Sequence, residues 1–527
     1  MRRSMLLRNG HIYSPVDPSA TAMLTVGDRI AWVGRDDAAD THAAVADEVL
    51  DLDRALVTPA FVDAHVHVLG TALADYGVDC AGATSLAEFL DRISRYVTEH
   101  PGEPVGGQGW DEHNWPERRL PTAAELDQAT AGAPALLSRV DGHSSLVSRA
   151  LVDREPAIKD ADGYEGTLVR RHAQTLAREA MQSAITPAQR RDLHRSALRR
   201  AASLGICAMH EMAAPHINSI EDVTALLDLA ATEPAPDVVA YWGQTGEGLT
   251  TAVRLGAHGA AGDLTVDGSI GSHSARLMEP YADEPMTRGV RYLDLETAAQ
   301  HVVTCTRAGL QAGFHCIGDD AVRLAIRAIG KAAEACGLDE IVAARHRLEH
   351  VEMISEELVY EMARLGVVAS MQPAFDALWG GESGLYATRL GRRRALAANP
   401  FATFERAGVT LAFGSDSPVT PLGGWDAVRG AAFHHNPEHR MTLHDAFAAA
   451  TRGGWRAAKV DDAGTLTPDA LASYAVWQVP GDLVIPAPGG SASASAARAL
   501  PDLTPGAPLP VCRRTVARGI EIFSNSS

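Results

Sequence analysis

The sequence predicts an α/β protein: a (β/α)8 barrel of the TIM type with an insertion after its first strand, plus a small β-sandwich built from both chain ends. Three observations predict it. Short apolar runs alternate with helical patterns through the middle of the chain. Strand-and-turn texture opens the chain and returns at its end. The stretch from about 70 to 200 is too long for one barrel loop and must carry structure of its own.

The chain ends come first. Met5-Leu6-Leu7, Met23-Leu24-Thr25-Val26, Ile30-Ala31-Trp32-Val33 and Val49-Leu50-Asp51-Leu52 are separated by turn residues such as Asn9-Gly10 and Gly27-Asp28. Tyr474-Ala475-Val476-Trp477 and the run 515–521 resume that texture. Chain termini commonly lie close together, so residues 1–55 and 464–527 are expected to form one composite β-domain. The Gly/Ser/Ala/Pro-rich stretch at about 480–510 is expected to be a mobile loop. Residues 56–463 are assigned to the barrel, with the insertion at about 70–200 covering its mouth. Its eight runs are Leu56-Val57, 206–209, 238–241, 264–266, 310–314, 346–348, 367–371 and 409–413. No internal repeat is found.

Bulk properties narrow the function. Of 527 residues, 46% are hydrophobic and 21% charged, the balance of a globular protein with a large core. A net charge of −19 argues against nucleic acid and anionic membrane as partners and leaves a small-molecule substrate. A homodimer stays open as the assembly. The six cysteines are scattered without a C-x-x-C pair, which speaks against a disulfide framework. No signal-peptide pattern and no apolar run of about 18 residues occur, so the expected location is cytoplasmic.

The chemistry begins at Asp63-Ala64-His65-Val66-His67. Residues two apart on a strand face the same way, so His65 and His67 could offer two imidazoles to one metal ion. About one H-x-H is expected by chance in a chain with this many histidines, so the motif needs context. His315, His350 and Asp416 supply it. Each follows an apolar run where a barrel strand should finish, and barrels of this kind place their active sites at the C-terminal strand ends. Four imidazoles and one carboxylate suit zinc or a similar divalent ion.

The segment Thr58-Pro59-Ala60-Phe61-Val62-Asp63-Ala64-His65-Val66-His67 resembles the opening motif of the amidohydrolase superfamily. Phe314-His315-Cys316-Ile317-Gly318-Asp319, Arg347-Leu348-Glu349-His350, Gln372-Pro373 and Gly414-Ser415-Asp416-Ser417-Pro418-Val419 are similar to later motifs of its YtcJ-like branch, the amidohydrolase family 3 type that includes N-substituted formamide deformylase. Gly109-Trp110-Asp111, Asp141-Gly142-His143-Ser144 and Asp267-Gly268-Ser269-Ile270-Gly271-Ser272 match as well. The resemblance implies that His65, His67 and Asp416 bind the more buried metal. It implies that His315 and His350 bind a second ion or help hold a single one, and that Asp416 moves the proton of the attacking water. Many relatives carry a carbamylated lysine four residues before the Asp-Gly of the fourth strand. Here that place is Asp263, and the only lysines, Lys159, Lys331 and Lys459, lie elsewhere. Asp263 or Glu211 could replace the bridge, or the site holds one ion.

Trp110, Asp111, Arg139 and His143 in the insertion, and His273 and Arg276 after the fourth strand, are candidates for the substrate pocket, with stabilisation of the insertion as the competing role. His434, His435 and His439 are expected in a solvated loop. The expected activity is hydrolysis of a C–N bond (amide, N-acyl or N-formyl) by metal-activated water. The alternatives are hydrolytic deamination of a ring and a catalytically silent ligand-binding relative. After His315, Cys316-Ile317-Gly318-Asp319 lacks the H-x-x-E of superfamily deaminases.

Overall fold

The computed structural model describes residues 3–44, 46–140, 142–183, 185–481, 483–484 and 500–525. Most of the expected loop at 480–510, and Asp141, lie outside the described residues. Eight parallel strands form the central sheet, in chain order around it. They are β1 (Phe61–Val66), β2 (Ile206–Ala213), β3 (Asp237–Trp242), β4 (Gly259–Ala260), β5 (Gln311–Cys316), β6 (Arg347–His350), β7 (Val368–Met371) and β8 (Leu411–Phe413). The segment after β8 returns to β1: Asp416 N–H donates to the His65 carbonyl at 2.8 Å, and His67 N–H to that of Ser417 at 2.9 Å. That closes the barrel at its C-terminal rim.

Every residue of β1, β2 and β5 is buried, because helices cover one face and the barrel interior occupies the other. Phe61, Met209, Phe314, Leu348 and Phe413 join one large apolar cluster. The helices are locally encoded. The helix Pro187–Ser203, which feeds β2, opens with Pro187 in its first turn and a reciprocal capping box between Thr186 and Gln189.

Two of the expected barrel runs fall elsewhere. Leu56-Val57 belongs to Leu56–Pro59, which pairs antiparallel with Tyr474–Gln478 in a five-stranded end sheet, and the barrel begins only at Phe61. The unbroken apolar run across residues 55–62 hides the division, since strands buried on both faces show no periodicity. At the fourth strand, Gly259–Ala260 makes the ladder, and Thr265 contributes one isolated bridge to His315. Small residues carry weak strand propensity, so β4 left no sequence signal.

The end sheets use both chain ends. A four-stranded sheet holds Ser4–Arg8, Ala22–Val26, Arg29–Gly34 and Glu48–Asp51. Its Leu7, Met23 and Ile30 share an apolar cluster with Val57, Tyr474 and Val516 of the five-stranded sheet. The run 515–521 is a hairpin rather than one strand, because Arg518 and Gly519 both take positive φ, 46° and 77°, between Val511–Ala517 and Ile520–Ser524. The insertion carries a six-stranded sheet from Val78–Asp79 to Leu168–Arg170, with its own core around Phe89, Trp115 and Leu137.

Candidate metal centre

The strand ends of the barrel converge on one buried cluster. His65 and His67, two residues apart at the end of β1, both face it, as alternation requires. His67 Nε2 lies 3.2 Å from Asp263 Oδ2 and 3.2 Å from Asp416 Oδ1. His65 Nε2 lies 3.6 Å from Asp263 Oδ1 and 3.4 Å from Asp416 Oδ1. The His350 ring centroid is 4.8 Å from that of His65 and 4.4 Å from that of His315. One ligand atom from each member of three trios lies within 4.8 Å of the others: His65, His67 and Asp263; Asp263, His315 and His350; His65, His350 and Asp416.

All five sequence-predicted ligands are therefore brought together, and Asp263 is a sixth member, common to two trios. It follows Gly262, whose φ of 83° turns the chain out of β4 and into the site. The donors do not separate into the expected halves, since His350 stands with His65 and Asp416 as well as with His315. Glu211 belongs to none of these trios. Its Oε2 accepts the Val68 N–H at 2.7 Å, at the start of the helix Val68–Tyr76, and burial pushes its carboxyl up to about 7.

Backbone strain aims two of the candidate ligands. Glu349 faces the barrel interior, so strict alternation would turn His350 outward. The His350 φ of 71° breaks that alternation. Asp416 also takes a positive φ, 55°. Non-glycine residues in this region cost about 1–3 kcal/mol each and collect at functional sites. Gly414 allows the approach of the β8 end to β1: a Cβ there would lie 2.4 Å from the His65 nitrogen. Ser415 is fixed by Asp63, which accepts its N–H at 2.9 Å and its hydroxyl at 2.6 Å.

Surrounding groups orient the imidazoles. His65 Nδ1 donates to Glu349 Oε2 at 2.9 Å, and His350 Nδ1 to Gln372 Oε1 at 2.8 Å. Each bond selects the tautomer that leaves Nε2 free as a ligand. Glu349 is itself held by Arg347, Nε to Oε1 at 2.5 Å, and the guanidinium sits 4.5 Å over the Tyr241 ring. Arg347, Glu349 and His65 are all fully buried.

A divalent ion fits this donor set. His65 Nε2 and Asp263 Oδ1 are buried and have no hydrogen-bond partner, a costly state for polar atoms. The imidazole–carboxylate separations of 3.2–3.6 Å exceed a charge-assisted hydrogen bond. They match the ~3.4 Å between two ligands at ~2.0–2.1 Å on a tetrahedral ion. The electrostatics agree. Burial works to raise the Asp416 carboxyl, but the His65 and His67 imidazoles outweigh it and hold the group well below the usual carboxylate range. Burial lowers the His67 imidazole, yet Asp263 and Asp416 raise it to about 9. The carboxylates demand positive charge among these atoms, which protons supply in the chain alone and a cation supplies in their place.

The cluster forms the floor of a cavity of about 1350 Å³. His143 lines it, with its ring 6.0 Å from that of His315. His273 lines it too, with Nε2 3.0 Å from Asp283 Oδ1. Arg139 reaches it but is committed to Asp111 at 2.7 Å and Glu112 at 3.1 Å. Trp110 and Arg276 stand off the cavity wall. Trp110 is buried in the insertion core, its indole N–H donating to the Leu137 carbonyl at 2.7 Å. Arg276 pairs with Asp320 at 3.2 Å, while its backbone N–H donates to Asp267 at 2.7 Å. His434 is buried rather than solvated, 3.2 Å from Asp376 Oδ1. Sequence reasoning missed the support of His65 by Arg347 and Glu349. Its signal is Arg-x-Glu alternation on a strand ending in His350.

Comparison with known proteins agrees with this geometry. A family model described as "Amidohydrolase family" matches residues 48–519. The putative amidohydrolase YtcJ of Bacillus subtilis is 26% identical over 443 residues, 77% of this chain and 80% of that protein. The N-substituted formamide deformylase of Arthrobacter pascens is 35% identical over 137 residues, a quarter of each chain. Among solved structures, an uncharacterized metal-dependent hydrolase from Pyrococcus furiosus superposes with a TM-score of 0.73 at 25% identity, covering 90% of this chain and 98% of that one. With its motifs, barrel and converging strand ends, the chain belongs to the amidohydrolase family.

Proposed function

We propose that this protein is a metal-dependent hydrolase that cleaves a C–N bond of the amide, N-acyl or N-formyl class in a small molecule, with zinc as the resident ion. The observation that carries the reading is the set of imidazole–carboxylate separations at ligand-to-ligand distance around unpartnered buried atoms. The formamide deformylase among its relatives supports the bond class, and the metal-dependent hydrolase supports a bound metal. His65, His67, Asp263, His315, His350 and Asp416 would hold the metal, with Asp263 standing where many relatives carry a bridging lysine.

A divalent ion bound there supplies Lewis acidity, bringing water's pKa towards about 7 and polarising a carbonyl. The chain supplies the rest. Asp416 directs Oδ1 at both imidazoles, and no hydrogen bond occupies Oδ2 among the described residues. Oδ2 takes the proton of the attacking water and returns it to the leaving nitrogen, so the amine departs neutral. Glu349 and Gln372 hold the His65 and His350 rings in place throughout. His143, which lines the cavity with its ring 6.0 Å from that of His315, would meet the substrate carbonyl or its leaving group.

The test is a panel of N-formyl and N-acetyl amines incubated with the protein as purified, with released acid and amine read by mass spectrometry. The expected result is release of both products, loss of activity on chelation and recovery with zinc. Activity indifferent to chelation, with no metal in the protein, would refute the reading.

A further inference from the structure

Arginines on the cavity wall are nearly all neutralised by carboxylates of this acidic protein. Arg139 pairs with Asp111 and Glu112, Arg170 with Glu165, Arg171 with Asp162 and Arg200 with Asp75. Arg178 is the exception: among the described residues no carboxylate lies within 4.0 Å of it. It projects from the helix Arg171–Gln182 of the insertion and lines the same cavity as the metal cluster. One terminal nitrogen donates to the Gly142 carbonyl at 2.6 Å, a carbonyl that Gln174 also satisfies at 2.9 Å. Its other N–H groups have no partner among the described residues, and the fork is built to take a planar carboxylate.

His216 shares this wall. It lies on the loop after β2, lines the cavity, and makes no hydrogen bond among the described residues. Arg178 and Asp263 both act electrostatically on it, and burial holds its imidazole down, at about 4, so it presents a neutral ring with one donor. Arg178 offers a substrate carboxylate a place on the insertion side of the cavity, away from the cluster. Among the described residues, Arg178 is therefore the wall arginine left free of a carboxylate to select for an anion.

We propose that Arg178, on the cavity wall that His216 also lines, forms a subsite for a substrate carboxylate, so that the preferred substrates are N-acyl compounds bearing an acid group. This rests on the hydrolytic reading above and names its substrate class. The positioning of the Gly142 loop by Arg178 is a second role of the same side chain, and discrimination between acid and neutral ligands separates the two.

The experiment is calorimetric binding to the full-length protein as purified, using N-acetylglycine and both enantiomers of N-acetylmethionine, each beside its carboxamide. Acids are expected to bind about tenfold or more tightly than the amides, the scale of a charge-assisted bidentate contact. Arg178→Gln should bring acids and amides to within about twofold of each other, and Arg178→Lys should retain part of the preference. Equal affinity in the native protein, absence of acid binding, or a preference that survives Arg178→Gln would overturn the subsite. Turnover of the same compounds separates the two readings. Acid binding through Arg178 without cleavage keeps the subsite and defeats the hydrolase; cleavage of acid and amide with equal kcat/KM does the reverse.

Discussion

The strand ends of the barrel and the wall of the insertion meet in one cavity but are built on different principles. At the strand ends, partners from elsewhere in the barrel hold His65 (Glu349), His350 (Gln372) and Ser415, the neighbour of Asp416 (Asp63). On the insertion side, Arg139, Arg171 and His143 are partly exposed or paired locally, and they ride on a sheet with a separate core. A ligand set must be held to fractions of an ångström, which the rigid barrel provides. Substrate choice can vary with the loops and layers placed over it.

Substitutions at the two regions should therefore differ in kind. The largest effect is expected at Asp416. Asp416→Asn should lower kcat about a thousandfold or more, since it removes the proton carrier. Turnover measured beside circular dichroism checks it, and near-normal kcat in a folded variant would break the assignment. Next comes the support of the ligands. Glu349→Gln should weaken metal affinity about 10–100-fold through the His65 ring alone. A competition titration with a chromophoric chelator reads this directly, and unchanged affinity would mean that His65 needs no orienting partner. The smallest effect belongs outside the cavity. Arg276→Ala removes a part-exposed guanidinium from Asp320, which Arg291 and Arg323 still pair, at about 0–1 kcal/mol, and should leave KM within about twofold. A large rise in KM would draw Arg276 back into the pocket.

The same contrast explains what the sequence disclosed. His65, His67, His315, His350 and Asp416 were legible because each follows a strand-like apolar run and the strand ends of such a barrel must converge. Asp263 was legible only as one of two alternatives, with Glu211, for the missing bridge. Its strand is two small residues, and the glycine turn that carries it inward has no periodic signature. Arg347 and Glu349 were hidden because a buried ion pair inside a barrel reads in sequence like two solvated charges. Trp110 was placed near substrate through a motif match and Arg276 through its position after the fourth strand, whereas packing uses Trp110 for the insertion core and Arg276 for a pair with Asp320. Nothing in the spacing of Arg178 distinguishes it from the paired arginines around it; only the folded wall shows which one lacks a carboxylate among the described residues.

The central claim is that these strand ends form a metal centre in which Asp263 occupies the place of the missing lysine. Elemental mass spectrometry on native protein and on Asp263→Ala, both purified without chelators, tests it most directly, with His65→Ala as the reference for a lost ligand. The account predicts tightly bound metal in the native chain and a fall in metal per chain in Asp263→Ala comparable to that in His65→Ala. Metal content and affinity unchanged in Asp263→Ala, with the reference variant depleted, would contradict it.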